Sequence, residues 1–231
     1  MLRASPPHSN LGIYKEGTAL ESVKKWFRQT KAQKMVEVLN EKGYTGIYCD
    51  TAEEAKAKIL ELVKKGSTVA VGGSVTTGDM GLVDIFRGEN YKFFERYKQP
   101  SWDLTFETYR QSMLADYLVT STTALTKNGE LVNTDSSGNR VGGMIFGPKN
   151  VIVVLGTNKI VNNLDDAFKR IREVAPMNAK RLGHVAPCVE TGVCEDCQVP
   201  DRICNYTGII HNGRKVSGRI TVIVVSEELG Y

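Results

Sequence analysis

Four of the five cysteines in this 231-residue chain, Cys188, Cys194, Cys197 and Cys204, fall in one segment with the spacing C-x5-C-x2-C-x6-C. Thiolates this close in sequence can converge on one cation or cluster, because each intervening loop is short and costs little closure entropy. Soft sulfur donors select zinc or iron–sulfur centres. The spacing is neither the C-x2-C-x2-C-x3-C of bacterial ferredoxins nor the paired short elements of zinc knuckles. An iron–sulfur cluster and structural zinc both stay open as cofactors, beside a redox dithiol at Cys194 and Cys197 and ordinary buried cysteines. Glycine, proline and acids surround the thiols, so residues 184–205 read as a loop and not as a core strand. His184, four residues before Cys188, reads as a surface residue.

Two further segments carry groups that suit an anion. Gly72-Gly73-Ser74-Val75-Thr76-Thr77-Gly78-Asp79 lies between an apolar strand and a helix. There, close backbone approach and free N–H groups favour a phosphate or carboxylate. It is neither a Walker sequence nor G-x-G-x-x-G, and a tight capped turn would use the same residues. Thr120, Thr122 and Thr123 follow the next apolar strand. Ligands of parallel α/β sheets bind beyond the carboxyl ends of the strands, so these two loops are expected to share a pocket. Asn139 and Arg140 come next, and the planar fork of Arg140 suits an anionic partner. The expected ligand-binding set is therefore Gly72, Gly73, Ser74, Thr76, Thr120, Thr122, Thr123, Asn139 and Arg140. No Ser/His/Asp or Cys/His arrangement is visible, and no residue is assigned a catalytic role.

The elements that would position these groups follow from periodicity. Residues 1–20 read as a mobile tail, and residues 21–40 as a helix with Val23, Trp26, Phe27, Met35, Val36 and Leu39 on one face. Its basic residues read as a solvated face and not as an RNA contact. A strand at 46–49, a helix at 52–64, a strand at 68–71 and a helix ending near Phe86 alternate thereafter, which predicts a mostly parallel sheet with helices on both faces. Residues 104–115 read as a helix and 117–120 as a strand, followed by a looped excursion with a turn at Lys127-Asn128-Gly129. Residues 141–146 read as a strand, and 151–155 as a buried central strand. Asn163 caps a helix to about Val174, with Pro176 ending it or opening another. Strands near 206–211 and 219–225 flank an Asn212-Gly213 turn. With no repeat and no linker, residues 21–231 are expected to form a single domain.

Composition excludes several classes. The chain is 41% hydrophobic and 24% charged with a formal net charge of +4, spread along its length, which argues against nucleic acid or an anionic membrane as partner. No apolar run approaches the roughly 20 residues of a membrane helix, and no signal-like segment opens the sequence, so a cytoplasmic location is expected.

The stretches Thr123-Ala124-Leu125-Thr126-Lys127-Asn128-Gly129-Glu130-Leu131-Val132-Asn133, Gly138-Asn139-Arg140-Val141 and Phe146-Gly147-Pro148-Lys149-Asn150 resemble the lactate-utilization (LUD) domain family. The Gly72-Gly73-Ser74 loop and the segment from Cys188 to Cys204 resemble an anaerobe-type branch of it. The resemblance spans roughly residues 20–231 and implies a fold similar to the NagB/RpiA/CoA-transferase group. It implies a subunit or accessory protein in oxidation of lactate or a related 2-hydroxy acid, linked to an iron–sulfur centre and to redox protein partners. The rival expectation is a binding or transferase domain for an anionic metabolite, a CoA or a sugar-phosphate-like molecule, with the thiols holding zinc. A homo-oligomer is compatible with either.

Overall fold

The short β-branched runs of this sequence lack polar alternation and must be covered on both sides, which only a sheet between two layers of helices provides. A computed structural model describes residues 16–231 and shows that arrangement. In chain order the first elements are α1 (Glu16–Glu41), β1 (Thr45–Cys49), α2 (Ala52–Leu62) and β2 (Thr68–Val71). Two short helices, α3 (Val75–Asp79) and α4 (Leu82–Phe86), lead to β3 (Lys92–Phe93), α5 (Trp102–Ser112) and β4 (Tyr117–Thr120). Next come β5 (Ala124–Thr126), β6 (Leu131–Asp135), α6 (Asn139–Ile145), β7 (Asn150–Gly156) and β8 (Ile160–Val161). The chain continues through α7 (Leu164–Leu182), α8 (Pro187–Thr191), β9 (Tyr206–Ile210) and β10 (Ile220–Val225).

Six strands form one parallel sheet in the order β1-β10-β7-β4-β2-β3. Successive residues of its central strands point to opposite faces. Val151, Val153 and Leu155 join Ala32, Met35 and Leu39 of α1, whereas Ile152 and Val154 join Ala55 and Ile59 of α2 and Leu82 and Phe86 of α4. A second sheet, ordered β8-β5-β6-β9, grows from the first: β5 begins four residues beyond the end of β4, and β8 four residues beyond the end of β7. Helix α7 packs Ala167 and Ile171 against Ala124 and Val132 of this smaller sheet. The carboxyl ends of β2, β4 and β7 thus open onto the junction of the two sheets.

Several expectations need correction. The tail expected over 1–20 lies mostly outside the described residues, and residues 16–20 are helical. Val23, Trp26 and Phe27 are exposed, because only the second half of α1 reaches the sheet. Residues 141–146 are helical, not a strand. Asp135 decides this: its Oδ2 accepts the Val141 N–H at 2.7 Å, satisfying a free donor in the first turn of α6, whose N-cap Gly138 offers no side chain. Gly143 then lets the helix press on the sheet, where a Cβ would stand 2.9 Å from Leu118 Cδ2. Helix α7 runs through Pro176 to Leu182, since the buried stripe Ala167, Ile171, Ala175, Ala179 keeps helical period across the proline. Burial of that stripe outweighs the roughly 3 kcal/mol that a lost internal hydrogen bond and a ring clash cost. Strands β9 and β10 are not hairpin partners: β9 pairs with β6 and β10 with β1 and β7.

Candidate functional site

Strand β2 continues outward to β3 while β4 leads the other way toward β7, so the loops after these neighbouring strands part from each other. An open parallel sheet leaves its crevice at such a point. A cleft of about 630 Å³, open space at its mouth included, lies there. Gly73, Ser74 and Val75 form one lip, Ser121, Thr122 and Thr123 the floor, and Arg140 and Lys159 the charged wall. Apolar Ile171, Val174 and Ala175 of α7 close the far side.

Local chemistry explains the lip and the floor. Ser74 caps α3, its Oγ accepting the Thr77 N–H at 3.4 Å. Gly72 is required by close approach, since a Cβ there would lie 2.3 Å from Thr120 Oγ1 and 3.3 Å from Arg140 Cγ. Buried Asn133 accepts the Thr123 N–H at 3.0 Å and holds the floor loop. Arg140 is fixed by Asp135, at 2.8 Å to Nε and 2.7 Å to Nη2, and by the Thr134 carbonyl at 3.1 Å. Its Nη1 keeps only a long 3.4 Å contact to the Ser121 carbonyl, so one edge of a rigid guanidinium faces the cleft. Arg170 reinforces the positive wall, donating from Nε to the Thr123 carbonyl at 3.0 Å and from Nη2 to the Tyr231 main-chain oxygen.

Lys159 is the residue that the sequence reading missed. It is only 6% exposed, at the end of the turn between β7 and β8, and its Nζ donates to Thr76 Oγ1 at 2.8 Å and Ser121 Oγ at 3.0 Å. Burial, then the nearby Arg170 and Arg140 charges, push its pKa down to about 7, with Asp79 the weaker opposing influence. Its signal was available: it follows the carboxyl end of the central strand, the same position that singled out Gly72 and Thr120. Ser121 and Arg170 were also missed, the latter because α7 carries it in from a distance.

The expected ligand-binding residues divide. Gly73, Ser74, Thr122, Thr123 and Arg140 line the cleft, and Thr76 reaches it through Lys159. Gly72 and Asn139 instead line a smaller cavity under the glycine loop, together with Arg96, whose buried Nη1 has no hydrogen-bond partner. Thr120 is wholly buried, with its Oγ1 donating to the Ser121 carbonyl at 3.2 Å.

The four thiols line a second cavity, of about 780 Å³ with open space included, between α7, α8 and residues 194–204. Cys188 is carried by α8, and the turn joining Cys194 to Cys197 has Asp196 at φ +48°, a conformation that aspartate tolerates better than most residues. Burial and then the neighbouring thiols Cys197 and Cys194 raise the Cys188 pKa; burial and then Cys194 raise that of Cys204, which Arg202 opposes. Asp201 ties the segment down, accepting the Val185 N–H at 2.6 Å and facing His184 Nδ1 at 2.9 Å. All five cysteines are free thiols, and among the described residues no three metal-ligand side chains stand together in position to hold one ion. Thr134, Ile171, Ala175, Ile203 and Cys204 line both cavities, which makes them the common wall.

Residues 32–225 match the LUD domain family. Among solved structures, a DUF162 family protein from Deinococcus radiodurans is similar at TM-score 0.51 and 13% identity, covering 86% of this chain and 98% of that one. At that identity the likeness speaks for the fold alone. The beta and delta subunits of eIF2B from Chaetomium thermophilum overlap 50% and 49% of the chain, and 44% and 49% of their own lengths. Their TM-scores of 0.34 and 0.33, at 12% and 13% identity, carry no argument. No curated protein sequence matches the chain. Among the described residues, no helix is long and apolar enough to cross a membrane.

Proposed function

The chain belongs to the LUD domain family, linked in general to lactate utilization, and on that footing we propose that it acts in the oxidation of lactate or a related 2-hydroxy acid. It serves as a subunit or accessory protein, with a small carboxylate held in the cleft and an iron–sulfur centre held by Cys188, Cys194, Cys197 and Cys204. The observation that carries this reading is the common wall. Cys204 lines the anion cleft and the four-thiol cavity at once, so a redox centre on these sulfurs would adjoin the bound acid.

Sulfur donors are of the soft kind such a centre takes, and gathering the four about one point requires the segment to close, since no three of them stand together as it lies. The four cysteines line one cavity, and burial with neighbouring thiols disfavours the Cys188 and Cys204 thiolates. When bound, the centre supplies one-electron transfer. The chain's own residues bind and orient the acid. Arg140 and Arg170 set a positive potential, the Thr123 side chain lines the floor beside Arg140, and Ile171, Val174 and Ala175 keep water from the apolar side of the acid. Electrons then leave through redox protein partners, in a cytoplasmic setting.

Protein purified without oxygen should contain iron and acid-labile sulfide in similar amounts, with broad visible absorbance. Lactate or pyruvate should raise its melting temperature. Stoichiometric zinc without sulfide would replace this reading with a binding or transferase domain stapled by a structural metal.

A further inference from the structure

Lys159 is poorly explained as a simple anion clamp. A lysine that holds a carboxylate works best fully charged and within reach of solvent or of an acidic partner. Here the amine is almost wholly buried, its hydrogen-bond partners are two hydroxyls, and the cations Arg170 and Arg140 outweigh Asp79 among the charges that act on it.

The directions of its hydrogen bonds are informative. The Thr76 hydroxyl itself donates to the Leu229 carbonyl at 3.3 Å and the Ser121 hydroxyl to the Thr122 carbonyl at 3.5 Å, so both oxygens accept from Lys159 Nζ. An ammonium has three donors, whereas a neutral amine has two donors and a lone pair. Two accepting hydroxyls leave one position on the nitrogen uncommitted, which in the neutral amine is the lone pair. The main chain at Gly230 shields one side, where a Cβ would lie 3.5 Å from Nζ; the cleft remains as the open side, since Lys159 is part of its wall.

The turn is held firmly. Lys31 Nζ donates to the carbonyls of Thr157 and Ile160 at 3.0 and 3.2 Å, bracketing Lys159 from behind. A desolvated lysine beside other cations, with apolar walls and a free lone pair, is the arrangement of an amine nucleophile.

We propose that the Lys159 amine condenses reversibly with the carbonyl carbon of a 2-oxo acid in the cleft to form an imine. This rests on the reading that the cleft takes small 2-hydroxy and 2-oxo acids. The nitrogen lone pair attacks C2, the C–O π bond breaks, and a carbinolamine forms. The two amine hydrogens then depart with the former carbonyl oxygen as water, leaving a C=N bond. No oxidant or reductant is consumed. Ser121 and Thr76, already bonded to Nζ, are placed to pass the protons. Arg140 on the cleft wall takes the carboxylate, with Arg170 behind it adding to the potential, and the imine makes the substrate an electron sink at C2. The class of molecule assigned is a short 2-oxo acid; a 2-hydroxy acid, lacking a carbonyl, binds without condensing.

The test is reductive trapping of the intact protein with pyruvate and cyanoborohydride, followed by peptide mass spectrometry. The expected result is one adduct, with the mass of pyruvic acid less one oxygen, on the peptide carrying Lys159. Lactate should give none, and Lys159→Met should abolish trapping while keeping a cooperative melting transition of its own. Scattered labelling of surface lysines, or a melting shift with pyruvate but no adduct, overturns the imine and leaves the anion cleft standing. Neither shift nor adduct overturns both.

Discussion

The anion cleft and the thiol cavity share a wall but are held by different means. The cleft is built from the ends of buried strands, and its side chains are cross-tied: Asp135 to Arg140 and Val141, Asn133 to Thr123, Lys159 to Thr76 and Ser121. The thiol cavity is built from one short helix and a loop, fastened chiefly by Asp201 and by Arg202, which donates to the Cys197 carbonyl at 2.5 Å. Its own apolar core is small, comprising Ala179, Ala186, Cys188 and Ile203 with a few half-buried neighbours. The cleft is pre-organised by the fold, whereas the thiol segment has few contacts of its own.

The sharpest way to break that contrast is Asp135→Ala. Removing the carboxylate leaves Arg140 uncompensated at 12% side-chain exposure and frees the Val141 N–H, so a loss of about 3–5 kcal/mol is expected in denaturant unfolding. A loss below about 1 kcal/mol would mean the cleft is not cross-tied as described. The next effect is on pH. The unfolded chain protonates Lys159 below its ordinary value of 10.5, the folded chain only below about 7. Stability should therefore rise as pH increases from 7 to 10.5, by up to about 5 kcal/mol, and Lys159→Met should lose that rise. The groups facing this amine are Arg170, Arg140 and Asp79, which makes the comparison of wild type with variant the informative measurement.

Gly72→Ala drives a methyl group into Thr120 and should cost about 1–3 kcal/mol while weakening ligand binding, since the same shift displaces Arg140. Cys194→Ser should be the mildest. In metal-free protein it should change stability by less than about 0.5 kcal/mol and leave pyruvate binding unaltered, because Cys194 is half-exposed outside the cleft. A large loss in metal-free protein would show that the thiol segment is as firmly built as the cleft.

Much of the frame was legible from residue order. Strand residues 68–71 and 117–120 coincide with β2 and β4, the α/β alternation held, and the loops after those strands line the two sides of one cleft. The helix at 139–145 was not legible, because β-branched Val141 and Ile145 with Gly142 and Gly143 disfavour a helix. Lys159 was passed over because a lone lysine in a turn ordinarily points to water.

The sequence by itself determined the long strands of the main sheet, where the glycine and hydroxyl loops fall, and that four sulfurs lie close along the chain. These are local properties, set by apolar runs, capping residues and spacing. Only the tertiary structure decided that Asp135 would cap α6, that Lys159 would lose its solvent, and that Cys204 would stand between two cavities. Each depends on partners brought from distant parts of the chain, and desolvation exists only once the sheets and α7 have closed around the group.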